Sequence, residues 1–342
     1  MYTSKEEQGN EKAFLKIYEP CAYQGTLEAN RSKSRKLKKT TVACRFCKKT
    51  QAETKFTQDT HLISNLLGRN TYYSHDECDT CNQFFTRYEN DLANYLGTSR
   101  VFNHLLHGIK APGFTSRSDG IKIKNYGNDF IYVENASPER NDFQVDMTAG
   151  KVALAMETRE FLPENVYRAL LKMAMGTLPE TEIAAYEVGF KFLLNMEKYP
   201  ELDCLKKVVI AETDLTIGRP FTLSYQKRAD ANYPQFPKHI FCLYVGNYMF
   251  QLLVPGHPDG PILATNAKMP LAPYYQLNVS NRHDAIVRGR ILEDLHSTAP
   301  KSNDNSLKME FSTENLVAIQ LDFDLKSFLD NIGKNNDQKV KD

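Results

Sequence analysis

No apolar run in the 342-residue chain approaches the roughly 18 residues that a membrane-spanning helix needs. The opening residues, MYTSKEEQGNEK, contain no apolar stretch of the kind that directs secretion, so a cytoplasmic chain without membrane contact is expected. Also missing are a glycine-rich loop to cradle a nucleotide phosphate, an internal repeat and a low-complexity block. Net charge is almost absent, because 43 Lys and Arg stand against 42 Asp and Glu. With 41% apolar and 25% charged residues, the composition excludes a collagen-like, coiled-coil or mostly disordered protein. At about 150 residues per domain, the length suits about two domains.

Acidic residues are scarce in one place. Residues 31–55 hold ten Lys or Arg and a single acid, Glu53, a local charge of +9 that leaves −8 for the rest of the chain. A cluster this dense is the electrostatic footprint expected beside a polyanion. Arg35, Lys36, Lys38, Lys39, Lys48 and Lys49 are therefore candidate contacts to a nucleic-acid backbone. A solvated basic linker is the plainer alternative, and it loses weight because the cluster runs directly into a cysteine motif.

The seven cysteines are an odd number. Four of them form Cys44-Arg-Phe-Cys47 and Cys78-Asp-Thr-Cys81, separated by 30 residues. In a reducing compartment such pairs hold metal more often than disulfides. Each CxxC closes a tight turn that presents two thiolates, and two turns complete a closed tetrahedral site for one structural zinc ion. Cys21, Cys204 and Cys242 are read as small buried hydrophobes.

Between the pairs, Lys55 to Ile63 alternates like a strand and carries His61 near its end. The chain passes through Leu66-Leu67-Gly68-Arg69-Asn70 and returns at Ser74-His75-Asp76-Glu77-Cys78. Gln83 to Leu96 is amphipathic, with Phe85, Tyr88 and Leu92 on one face, and predicts a helix that begins just after Asn82. Strand, loop, strand and helix, stapled by zinc, form a ββα unit with His61 opposite Asn82.

These residues carry a resemblance. The succession C-x2-C, strand, His, Leu-Gly, E-C-D-x-C-N and Y-E-N-D-L-A resembles the zinc-stapled branch of the HNH endonuclease family, over residues 40–100 only. The resemblance implies an endonuclease that hydrolyses DNA phosphodiester bonds, with His61 as general base and one catalytic divalent ion, Mg2+ or Mn2+, on the phosphate. It further implies a setting such as restriction or anti-phage defence. Asn82 maps onto the last motif position, as a ligand of that ion or its orienter. The residue before the histidine, often acidic in the family, is Thr60 here. Asp59 shares the strand face of His61 and is the candidate replacement ligand. Asn70, His75 and Glu77 compete for the place of the central asparagine, with His75 favoured because it lies just before the second CxxC. Glu89 shares a helix face with Asn82 and is either an orienting group or a solvated carboxylate. Plainer roles stand beside these: His61 as a core histidine, Asn82 as a helix N-cap, and the unit as a non-catalytic zinc module binding nucleic acid or a partner protein.

The expected organisation is α+β. A basic lead-in segment (1–39) with a short strand at Ala13 to Tyr18 precedes a small, zinc-stapled ββα-metal nuclease-like module (40–108). A turn-rich linker then leads to a larger mixed, β-rich domain (121–332), followed by a disordered polar tail (333–342). In the larger domain, helices are expected from Pro163 and from Pro179. Strands are expected at Ile121–Lys124, Phe130–Val133, Lys151–Met156, Lys207–Ala211, Phe221–Tyr225, His239–Val245, Tyr248–Val254, Tyr275–Val279 and Leu316–Asp322, with a hairpin turn at Gly246-Asn247. No motif there carries assignable chemistry. Sensing, substrate recognition or oligomerisation are its expected roles, through an activating ligand, a partner protein or a second copy of the chain.

Overall fold

A computed structural model describes residues 4–24, 43–68, 70, 72–102, 113–117, 120–125, 131–135, 143–146, 151–154, 156–196, 206–233, 236–255, 271–273, 287–302 and 309–312. The class is α+β. In chain order the elements are α1 (Ser4–Ile17), β1 (Tyr18–Gln24), a 3-10 turn (Asn65–Leu67), α2 (Asp79–Leu96), α3 (Ser99–Phe102), β2 (Phe114–Thr115), β3 (Ile121–Asn125), β4 (Ile131–Asn135), β5 (Phe143–Asp146), β6 (Lys151–Leu154), α4 (Pro163–Thr177), a second 3-10 turn (Glu180–Tyr186), α5 (Glu187–Leu193), β7 (Lys207–Lys227), β8 (His239–Leu253), β9 (Val287–Asp294) and β10 (Met309–Ser312). No helix among the described residues is long and apolar enough to cross a membrane.

The principal sheet is antiparallel and built on the long β7. β8 pairs along one edge of β7, while β1 and β9 share the other edge, β1 at its C-terminal end and β9 at its N-terminal end. Both faces of the sheet are covered, which explains the nearly unbroken apolar runs of β8. Phe241, Leu243, Val245, Phe250 and Leu252 point to one core, whereas Ile240, Cys242, Tyr244, Met249 and Leu253 point to another. The inward set changes from odd to even numbers across Gly246, whose φ of 57° takes up the one-residue slip as an irregularity in the ladder.

Gly246-Asn247 is therefore not a hairpin turn. Tyr248 to Leu252 pairs with Glu212 to Val208, and His239 to Tyr244 pairs with Gln226 to Phe221. Both runs face the same neighbour in the same direction, so four expected strands merge into two. The lead-in also differs from expectation: α1 occupies much of it, and β1 joins the main sheet. Phe14, Ile17 and Tyr18 pack at helical spacing onto the outer face, and the Tyr18 hydroxyl donates to Pro237 O at 2.8 Å. The β3–β4 pair matches the expected antiparallel strands, and β5, β6 and β10 form a third small sheet. Residues 108–112 and 118–119 of the expected linker (108–113 and 116–120), the strands expected at Tyr275–Val279 and Leu316–Asp322, and the tail from 333 lie outside the described residues.

Pro163 opens α4 in its first turn, where a missing N–H costs nothing. Almost every residue of this helix from Pro163 to Met175 is buried. One side packs on β7 and β8, and the other on α2. Asn165 bonds Asp91, Arg168 bonds Tyr88 and Lys172 lies over Phe85, so α2 and α4 run antiparallel. A single buried cluster consequently joins Cys44, Phe46, Leu62 and Phe85 to Leu170, Leu171, Leu243 and Leu252. Described residues from both sides of 103–112 therefore contribute to one cluster, beside the separate cluster on the outer face of the sheet.

Arg45 closes this joint from the cysteine side. Its Nε lies 2.6 Å from Asp76 Oδ2, and its Nη1 donates to Leu178 O at 2.8 Å, just past the C-terminal end of α4. A cation at that end also suits the helix dipole. Charge-assisted hydrogen bonds contribute about 1.5–3 kcal/mol. Arg45→Ala is accordingly expected to lower unfolding free energy by about 2 kcal/mol in denaturant titration, and Arg45→Lys to recover only part, since an ammonium lacks the planar fork.

Candidate functional site

Each CxxC sits where backbone geometry favours it. The first turn is closed by Cys44 N donating to Lys49 O at 2.8 Å and Lys48 N donating to Cys44 O at 2.9 Å, with Lys48 at a left-handed φ of 63°. The second CxxC opens α2, which begins four residues earlier than its apolar pattern alone suggests. Cys78 is the N-cap, its Sγ accepting from Cys81 N at 3.4 Å. Cys78 N donates in turn to Cys44 Sγ at 3.4 Å.

The four sulfurs of Cys44, Cys47, Cys78 and Cys81 lie within 4.8 Å of one another. Cys44–Cys81 and Cys47–Cys78 are separated by 3.9 Å and 3.7 Å. A tetrahedron with Zn–S bonds of about 2.3 Å has edges of about 3.8 Å. The cluster can hold a metal such as zinc. Its hydrogen bond with Cys81 holds the Cys44 thiol down to about 5, while burial pushes Cys47 up to about 11. Four thiolates this close repel one another, so joint ionisation calls for a cation among them.

His61 lies beyond the cluster on a segment with little regular structure. Lys55 to Ile63 does not form a strand. The described ladder is one isolated bridge, His61 to Tyr73, flanked by Leu62 N to Tyr72 O and Ser74 N to Thr60 O, both at 2.8 Å. Tyr73 covers the imidazole, with ring centroids 4.4 Å apart. The reason for the short ladder is local: Asp79 accepts from Thr57 N at 2.9 Å and Gln58 N at 3.0 Å, curling the chain around the start of α2.

Asn70 organises this segment. Its Nδ2 donates to Ile63 O at 3.0 Å and Gly68 O at 3.1 Å, which fixes the amide's orientation. The Oδ1 then accepts from Tyr72 N at 3.2 Å and lies 3.3 Å from His61 Nδ1. An acceptor at that position makes Nδ1 the protonated ring nitrogen and leaves the Nε2 lone pair available. Burial depresses the basicity of the ring below the usual histidine range, against the opposing pull of Asn70. That shift favours the neutral imidazole.

The remaining expected residues scatter. His75 is exposed, and Asn70 stands beside His61. Asn82 is not the helix N-cap, since it lies one turn inside α2 with Nδ2 donating to Gln58 Oε1 at 2.8 Å. Thr60 is 1% exposed, whereas Asp59 is exposed and near enough to raise the basicity of His61 slightly. Lys48 folds back onto its own turn, its Nζ donating to Arg45 O at 2.8 Å and lying 4.7 Å from the Phe190 ring centroid. Lys48 and Lys49 are both exposed. Arg35, Lys36, Lys38 and Lys39 lie outside the described residues.

One group escaped the sequence reading. Lys172, within the apolar run Ala-Leu-Leu-Lys-Met-Ala-Met of α4, is 1% exposed and ion-paired with Glu77 at 3.3 Å and Glu89 at 3.2 Å. Burial pushes Glu77 up to about 7. Two carboxylates hold Lys172 firmly protonated against its own burial. A cation inside an otherwise apolar helix was the available signal. Glu89 is thus not a freely solvated carboxylate.

No family model, curated protein or solved structure matches this chain.

Removal of one ligand leaves a tetrahedral site open and three thiolates uncompensated. Cys78→Ser and Cys81→Ser are each expected to bind well below one metal ion per chain by elemental analysis, against one for the wild type, and to lose the near-ultraviolet signal of residues 43–102. Wild-type protein with no bound metal after expression in zinc-supplemented medium would reject the site.

Proposed function

We propose that the unit around His61 is a metal-dependent endonuclease centre of the HNH kind acting on DNA, stapled by a structural zinc on Cys44, Cys47, Cys78 and Cys81. The observation that supports it best is the bond between Asn70 and His61 Nδ1. A neutral imidazole with Nδ1–H fixed by an amide directs its basic Nε2 at a reactant. In this reading Nε2 takes the proton from the water that attacks the scissile phosphorus. The ring is half-buried, with the tilted Tyr73 ring against it.

A divalent ion, Mg2+ or Mn2+, would stabilise charge on the phosphate and the leaving oxygen. Such ions bind through one or two protein oxygens plus substrate phosphate, so no dedicated cage is required. The oxygens of the exposed Asp59 and the half-buried Asn82 are the proposed ligands; with Nδ2 of Asn82 bonded to Gln58, its Oδ1 is the donor left for a hard cation. The basic stretch ahead of Cys44 would meet the phosphate backbone. The non-catalytic alternative draws on Thr60, a buried hydroxyl where the family often has an acid.

Supercoiled plasmid incubated with Mg2+ or Mn2+ separates the two. A positioned base contributes about 10²–10⁴-fold. His61→Ala is expected to lose cleavage by that factor while keeping metal content and melting temperature, and Asn82→Ala to need more divalent ion for the same rate. Cleavage by His61→Ala at the wild-type rate would reject the general-base role.

A further inference from the structure

We propose that Lys172 of α4 is the positioning residue of His61, so that the seating of α4 against the cysteine module governs the competence of the histidine site. This inference rests on the reading of His61 as the general base.

Lys172 stands 111 residues from His61 in sequence, and its Nζ donates to His61 O at 2.9 Å. The other two ammonium contacts are Glu89 Oε1 at 3.2 Å and Glu77 Oε2 at 3.3 Å. Of the three ammonium protons, two go to His61 O and Glu89 Oε1, and Glu77 Oε2 stands within ion-pair distance. One buried cation thereby ties together the histidine backbone, the middle of α2 and the residue before Cys78.

A second contact lies one turn further along the same helix face. A Cβ at Gly176 would come 2.2 Å from Leu62 Cδ1, so the glycine is what lets Leu62 seat on the helix. Residues four apart on a helix share a face. Lys172 and Gly176 thus meet two consecutive residues, His61 and Leu62. The segment they hold is anchored by a single described bridge, which makes outside support matter. Shifting α4 by the rise of one residue, about 1.5 Å, would break the bond to His61 O. The far side of α4 rests on the main sheet, where Thr177 Oγ1 lies 2.9 Å from Ser224 Oγ. Displacements of that sheet reach His61 through this helix.

The test uses full-length protein carrying Lys172→Met with Glu77→Gln. The pair of changes removes the donor to His61 O without leaving two buried carboxylates unopposed. The expected result is a folded, metal-loaded protein whose plasmid-cleavage kcat falls at least tenfold with KM within twofold. Exchange of the Leu62 and Ser74 amides should quicken at least tenfold, with β7 and β8 amides unchanged. Glu77→Gln alone should leave exchange at Leu62 and Ser74 within twofold of wild type. Gly176→Ala is the second variant, since it presses on Leu62 without touching the ion cluster, and it should produce the same accelerated exchange. Wild-type kcat together with wild-type protection of Leu62 and Ser74 in a folded double variant, or in Gly176→Ala, would overturn the proposal. If the wild-type chain cuts no DNA, the endonuclease reading fails by itself, and the exchange measurements alone decide the role of Lys172.

Discussion

A helix buried on every side cannot leave a charge unanswered, and α4 carries two in its middle. Arg168 reaches Glu164, the Tyr88 hydroxyl and Phe192 O, while Lys172 reaches Glu77, Glu89 and His61 O. Stripping one partner from such a pair costs about 3–5 kcal/mol, because the remaining charge stays buried. Yet an intact buried pair is seldom better than a well-packed apolar substitute. Stability alone therefore does not account for these cations. What they supply is register: each accepts only one alignment of α4 against α2, and that alignment fixes the cysteine module on the sheet.

The module needs both of its anchors. Residues 43–78 contain one short 3-10 turn and isolated bridges, with little ladder of their own. At one end the four cysteines gather the two turns, and metal binding there would become folding free energy. Beside them Phe46, inside the first CxxC, interlocks with Phe85 and Phe190, 4.8 Å and 5.8 Å away in edge-on contacts. Such aromatic pairs add about 0.5–1.5 kcal/mol beyond the area they bury. The described ring contacts of His61 are to Tyr73 and Asn70, drawn from neither anchor.

Much of this was legible in the residues. Paired CxxC spacing announced the sulfur cluster, Pro163 and the spacing of Val166, Leu170 and Leu171 announced α4, and the alternation from Ile121 announced the β3–β4 pair. What escaped did so for physical reasons. Gly246-Asn247 carries turn chemistry, but β7 supplies partners to both flanking runs, and tertiary pairing outweighs a local turn preference. α1 was hidden by its polar first half, where only Phe14, Ile17 and Tyr18 mark the buried end. Asn70 could not be preferred over His75, because its importance lies in carbonyls of Ile63 and Gly68 that only the folded loop brings to it.

The segment that carries His61 is thus a loop held in place rather than a strand that holds itself. A regular ladder would fix His61 through many modest backbone bonds, each worth about 0.5–1.5 kcal/mol. Here the ring is set from within by Asn70 and the backbone from without by Lys172, two side chains from regions more than 100 residues apart in sequence. Such an arrangement links the His61 backbone to the seat of α4, and through that helix to the core it shares with the sheet.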